Sequence, residues 1–263
     1  MPAPVRVFDS PADIGELVAE RILRGIARAA QHGRSYLLGL PTGRTPRPVY
    51  AAMARQLHVQ PQSLGHVTLV MMDEYLRPDG AGGFRYALDP GAPSCHAFTE
   101  TEITGALDAS LDRSLQLRKS QVWFPDPVDA AHYDTRIAQA GGIDFFLLAS
   151  GASDGHVAFN PPGSARDSRS RIVELSEETR RDNLLTFPAL GALANVPTHG
   201  VTVGIATITD AREAVMLAWG KGKRTTVARM LAATSYDPAW PATLIHDCSN
   251  AELLVDAAAA MQG

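Results

Sequence analysis

Apolar residues recur along this chain with two alternating periods. Ile14, Leu17, Val18, Ile22, Leu23 and Ile26 share one side of a 3.6-residue repeat that begins after Asp9-Ser10-Pro11, and this predicts a capped helix covering one face of a sheet. Residues 35–40 form a short apolar run that predicts a strand, and Val49, Tyr50, Met53 and Leu57 then mark a second helix. Residues 67–72, V-T-L-V-M-M, read as the next strand, followed by Asp73-Glu74-Tyr75 as a turn at its end. A helix over about 99–117, a short strand over 121–124 and a helix over about 128–140 lead into the apolar run I-D-F-F-L-L-A, which reads as a buried strand. Short strands over 171–175, 200–205, 214–219, 242–246 and 253–255, a brief helix opened by Ser176-Glu177-Glu178, a helix over about 221–233 and an Ala-rich terminal helix complete the series.

Strands alternating with helices predict an α/β fold, a mostly parallel sheet with helices on both faces in a Rossmann-like arrangement. Ligand chemistry in such a sheet belongs at the carboxyl ends of the strands. The loops P-T-G-R-T-P, D-E-Y, S-D-G-H and G-K-G-K are all expected there. Residues 77–95, with P-D-G-A-G-G and D-P-G-A-P-S, interrupt the rhythm at a length that suggests a mobile lid or a substrate loop rather than a passive link, with a disordered excursion as the alternative. No repeat or low-complexity segment divides the chain, so one domain over 1–263 is expected.

Composition narrows the class of partner. A net charge of -4 argues against a general nucleic-acid or membrane-surface binder, so an anionic ligand must meet positive groups placed locally. Lysine occurs only as Lys119, Lys221 and Lys223, and two of these lie in G-K-G-K-R, which is either an anion site or a solvated helix start. Cys95 and Cys248 lack the spacing of a zinc site or a disulfide framework. Without an apolar signal segment or a run of roughly 18 apolar residues, the chain reads as cytoplasmic.

Three loops offer chemistry. Pro41-Thr42-Gly43-Arg44-Thr45-Pro46 combines a glycine, two hydroxyls and the start of a helix, which describes either a phosphate cradle or an ordinary helix cap. It matches neither G-x-G-x-x-G nor a Walker motif, which disfavours a dinucleotide or ATP. Asp73 closes an apolar strand, where burial can raise its pKa into the range for proton transfer, or it caps a turn. Asp154 and His156 can form a base with its orienting carboxylate, or a structural pair. Gly151-Ala152-Ser153-Asp154-Gly155 also matches the serine-hydrolase elbow G-x-S-x-G, but Asn160-Pro161-Pro162-Gly163 breaks the helix that the elbow requires.

Taken in order, L-G-L-P-T-G-R-T-P, M-D-E-Y, D-G-H-V-A-F-N with P-G-S, S-R-I-V-E-L-S-E-E-T-R and G-V-T-V-G-I-A-T-I-T-D-A-R-E resemble the glucosamine-6-phosphate deaminase/isomerase family, itself similar to the 6-phosphogluconolactonases. The resemblance spans almost the whole chain. It implies a small-molecule sugar phosphate held by Thr42, Gly43, Thr45 and Lys223, ring opening by His156 aided by Asp154, and proton shuttling between C2 and C1 by Asp73. It implies no metal and no organic cofactor, and it leaves a homo-oligomer open. The sequence departs from the family pattern at Pro161, where a relay glutamate is usual, at Ser150 and Ala152, where glycines are usual, and at Leu185, where an arginine for the phosphate is usual. Arg44 is expected to replace that arginine. Arg169 and Arg171 fall near a family effector site or form surface ion pairs. Lactone hydrolysis and sugar-phosphate sensing are the alternatives to deamination.

Overall fold

A computed structural model of the chain describes residues 2–89 and 93–261. The strands are β1 (Val5–Phe8), β2 (Tyr36–Leu40), β3 (Val67–Met71), β4 (Asp73–Pro78), β5 (Phe84–Tyr86), β6 (Val122–Trp123), β7 (Phe145–Ala149), β8 (Arg171–Glu174), β9 (His199–Thr202), β10 (Ala214–Ala218) and β11 (Ala251–Asp256). The helices are α1 (Pro11–Gln31), α2 (Arg47–Val59), α3 (Cys95–Phe98), α4 (Gly105–Asp108), α5 (Ala130–Gln139), α6 (Glu177–Thr186), α7 (Ile205–Thr209), α8 (Arg224–Ala232) and α9 (Ala257–Ala260).

Seven strands pair in the order β1-β11-β10-β7-β2-β3-β6, and every pairing is parallel. The central strands β2, β7 and β10 are apolar nearly end to end because both faces of the sheet are covered. Their side chains alternate between two cores. Leu38, Leu40, Phe145, Leu147, Val215 and Leu217 pack with α1 and α2, whereas Leu37, Phe146, Leu148 and Met216 pack with α5, α7 and α8. From the β2–β7 pair the chain adds β3 and β6 in one direction and β10 and β11 in the other. The reversal opens a crevice at the carboxyl ends of these strands.

Several expected elements take a different form. Asp73-Glu74-Tyr75 is not a terminal turn: the chain passes through Met72 directly into β4, which pairs antiparallel with β9 in a second sheet of order β5-β4-β9-β8. The passage expected as a lid is, over its first part, the β4–β5 hairpin, with Asp79 accepting from the N–H groups of Ala81 and Gly83 at the turn. Residues 90–92 of that passage lie outside the described residues. The helix expected over 99–117 instead runs from Cys95 to Asp108, through a π-helical turn at Thr99–Thr104. Its continuation is replaced by turns in which Gln116 donates to the carbonyls of Asp108 and Leu111. Residues 242–246 are a 3-10 helix, Pro241–Asp247, whose Ala242, Leu244 and Ile245 are buried against the sheet. β1 has no counterpart in the sequence reading; the exposed Val5 and Val7 belong to an edge strand and lack the signature of a buried one. No helix among the described residues is long and apolar enough to cross a membrane.

Candidate active site

The crevice is a cavity of about 370 Å³. Thr42, Gly43, Arg44, Thr45, Asp73, His156 and Lys223 all line it, and Asp154 lies immediately behind His156. Residues distant in sequence converge there because parallel strands deliver their following loops to one edge.

The loop after β2 is anchored at both ends. Tyr50 donates its hydroxyl to the Pro41 carbonyl, and Trp219, at the end of β10, donates its indole N–H to the Thr45 carbonyl at 2.9 Å. Gly43 has φ of 100°, a conformation that a side chain would strain. Sequence suggested that the following helix would supply N–H donors. Pro46 and Pro48 have no N–H, and Arg47 N turns back to the Arg44 carbonyl, so the donors at this point that have no partner among the described residues are the amides of Gly43, Arg44 and Thr45 in the loop itself. The Arg44 guanidinium is exposed at the cavity and has no carboxylate partner among the described residues.

Lys223 reaches the cavity from the 3-10 turn Lys221–Lys223 after β10 and donates to the Ser150 carbonyl. Burial lowers its pKa to about 8, with the Asp182 and Asp154 charges working the other way. Lys221 is exposed and does not line the cavity, so the two lysines of G-K-G-K differ in role.

Asp73 and Glu74 point to opposite faces because they are successive residues of a strand. Glu74 is fully buried and accepts from the N–H groups of Tyr75, Cys95 and His96 and from His96 Nδ1, so it clamps the start of α3. Asp73 faces the cavity. Burial raises its pKa to about 7, opposed by a hydrogen bond from the Cys95 thiol at 3.3 Å, reinforced by the Glu74 charge and opposed again by His156. Cys95 also accepts from the Thr42 hydroxyl at 3.4 Å, which links the loop after β2 to the Asp73 carboxylate.

The S-D-G-H loop folds back on itself, with Gly151 N donating to the His156 carbonyl at 2.7 Å. A side chain at Gly151 would come within 2.2 Å of His156 Nδ1, so this close approach demands glycine. Asp154 accepts from His156 Nδ1 at 2.6 Å, from His156 N at 3.1 Å, from the Ser176 hydroxyl at 2.9 Å and from the Thr179 hydroxyl at 3.1 Å. Burial alone would raise its carboxyl, but the bond and charge of His156 and the further donors hold it well below the usual carboxylate range. The hydrolase elbow is absent as a structure: Ser153 donates to Asp182, and turns rather than a helix follow.

Ser176, Thr179 and Asp182 escaped the sequence reading. Their spacing of three on the opening turns of α6 places them on one helix face, and that pattern in S-E-E-T-R-R-D was the available signal. Cys95 left no signal, because only the tertiary fold brings it to Asp73. Leu185 lines the cavity as an apolar group, whereas Pro161 does not reach it and uses its carbonyl to accept from Ser164. Arg169 forms an exposed ion pair with Asp210, and Arg171 donates to Asn160 and Ser164.

Asp154, His156 and Asp182 bring one potential ligand atom each to within 4.8 Å of one another, a spacing that could hold a metal ion. A cation there would compete with the four hydrogen bonds that Asp154 already accepts.

This fold has known counterparts. Residues 9–255 match the family model for glucosamine-6-phosphate isomerases/6-phosphogluconolactonase. The chain is 33% identical to a glucosamine-6-phosphate deaminase of Beutenbergia cavernae, across 97% of this chain and 91% of that one. It is 34% identical to a glucosamine-6-phosphate deaminase of Streptomyces avermitilis, across 94% and 87%. Among solved structures it superposes on a monomeric glucosamine-6-phosphate deaminase with a TM-score of 0.82 at 26% identity, covering 98% of both chains. The 6-phosphogluconolactonase of Leishmania guyanensis shares the fold, with a TM-score of 0.67 at 20% identity over 98% of both chains. By the extent of the match and the order of its loops, the chain belongs to the glucosamine-6-phosphate isomerase/6-phosphogluconolactonase family.

Proposed function

We propose that this protein is an aldose–ketose isomerase/deaminase that converts an aminosugar phosphate such as glucosamine-6-phosphate, with water, into a ketose phosphate and ammonia. The observation that carries the reading is one cavity lined by an arginine with no carboxylate partner among the described residues, a partly buried lysine, a carboxyl group raised to about 7 and a carboxylate-backed histidine. Glucosamine-6-phosphate deaminases among its relatives support the substrate class.

Arg44, Lys223 and the amides of Gly43 to Thr45 bind the phosphate, with the hydroxyls of Thr42 and Thr45 at its margin. His156 donates a hydrogen bond from its proton-bearing Nδ1 to Asp154, which leaves Nε2 as the base. His156 then takes the proton from the anomeric hydroxyl and returns one to the ring oxygen, so the C1–O5 bond breaks and an aldehyde forms. Asp73 removes the C2 proton as the C2–H electron pair becomes a C1=C2 bond, and the aldehyde oxygen takes up the proton that the substrate's ammonium group gives up, which leaves an enolamine. Delivery of the proton to C1 leaves an imine at C2, which water hydrolyses to a ketone with release of ammonia. A carboxyl that titrates near neutrality suits both halves of this shuttle.

Pro161 and the lactonase-like fold favour lactone hydrolysis as the second reading. Supplying glucosamine-6-phosphate and a 6-phospholactone separately, and measuring ammonia, ketose and acid, decides between them. The deaminase reading expects ammonia and ketose, lost in Asp73→Asn; acid from the lactone without ammonia, insensitive to Asp73→Asn, would overturn it.

A further inference from the structure

Asp182 is a charged residue of the cavity wall that the proposed reaction leaves without a task. It projects from α6, and its two oxygens accept from Ala152 N and the Ser153 hydroxyl, both at 3.1 Å. A carboxylate offers about four acceptor positions, so about two on Asp182 remain. Asp154 differs: its two oxygens already accept four hydrogen bonds from the protein. A ligand in the cavity therefore meets the spare capacity of Asp182, close to His156.

The charge balance of the cavity says which ligand suits that capacity. Without ligand, Asp182 is the leading charge favouring the Lys223 ammonium. A phosphate that occupies Arg44 and Lys223 takes over that positive charge and leaves Asp182 facing a dianion. A neutral hydroxyl can fill one of its acceptor positions but cannot offset its charge. A protonated amine on the same ligand does both.

We infer that Asp182 determines specificity by selecting a sugar phosphate that carries a protonated amine over its hydroxyl counterpart. This rests on the sugar-phosphate reading of the cavity and adds to it the group that distinguishes the substrate. It also assigns a use to a carboxylate placed where a site built only for phosphate would gain from having none.

The test measures dissociation constants by calorimetry for glucosamine-6-phosphate and glucose-6-phosphate. Turnover is stopped with Asp73→Asn in every protein, and Asp182 is compared with Asp182→Asn and Asp182→Glu at pH 6.5 and pH 9. With Asp182 present the aminosugar should bind about tenfold tighter or better at pH 6.5. That preference should shrink at pH 9 as the amine loses its proton. Asp182→Asn keeps an oxygen for Ala152 N and should bring the preference to about one at both pH values, with glucose-6-phosphate bound no more weakly than before at pH 6.5, where Lys223 stays charged without Asp182. Asp182→Glu should retain a preference. An unchanged preference in Asp182→Asn, or an equal loss for both ligands, overturns the inference and makes Asp182 a support for the S-D-G-H loop. Binding of both sugars without preference when Asp182 is present removes the amine selection alone. Failure of both sugars to bind when Asp182 is present removes the sugar-phosphate reading as well.

Discussion

Asp73 and Lys223 have pKa values displaced toward each other by the same cause, burial at one cavity. Proton abstraction needs Asp73 ionised, so kcat/KM should fall as pH drops through about 7. Phosphate binding needs Lys223 charged, so kcat/KM should fall again as pH rises through about 8. A profile with a narrow maximum between those limbs is expected, and Asp73→Asn should abolish turnover at every pH. The same burial has an opposite consequence for stability. Between about pH 4 and about 7 the folded protein keeps a proton on Asp73 that the unfolded chain releases, so this group's contribution to stability declines across that window. Asp73→Asn should therefore gain up to about 4 kcal/mol at pH 8 relative to wild type, measured by urea unfolding. Arg44, which has no ion-pair partner among the described residues, should behave differently. Arg44→Ala should raise KM by about tenfold or more with little change in folding stability, because only the ligand meets its charge.

Two elements carry the site's geometry. β4 divides Asp73 from Glu74 by the alternation of a strand, giving one residue to the cavity and the other to the interior. Glu74→Ala would leave two buried N–H groups and a part-buried one without their acceptor and should destabilise the fold by about 3 kcal/mol or more. Denaturant unfolding measures that loss directly. α6 presents Ser176 and Thr179 to Asp154 from its first turn, so the helix orients the carboxylate that orients His156. Thr179→Val preserves shape but removes a donor to Asp154. It should lower kcat by about tenfold and cost about 1 kcal/mol of stability, a split that separates orientation from folding.

For the whole molecule, phosphate ligands should stabilise the fold by mass action, by about 2.7 kcal/mol at a hundredfold excess over Kd. A thermal melt with and without glucosamine-6-phosphate should show the shift, and the double variant Arg44→Ala/Lys223→Ala should lose it. The sequence by itself determined much of this arrangement. Apolar periods marked β2, β7, β10, α1 and α2, since a strand covered on both faces must be apolar throughout and an amphipathic helix must repeat every 3.6 residues. Alternation of the two implies a parallel sheet with its loops gathered at one edge, and so places the loops that carry Thr42, Gly43, Arg44, Thr45, Asp73, His156 and Lys223 at that edge. Tertiary structure alone decided the second sheet, whose antiparallel pairs join β4 with β9 across more than a hundred residues of chain and leave no local period. It alone decided that Pro241–Asp247 coils rather than extends, because burial against the sheet requires apolar residues in either form. It also brought Cys95 to Asp73 and turned the face of Ser176, Thr179 and Asp182 toward the S-D-G-H loop. Local pattern records which side of an element is buried; which residues meet across the cavity depends on long-range packing that no short stretch of sequence contains.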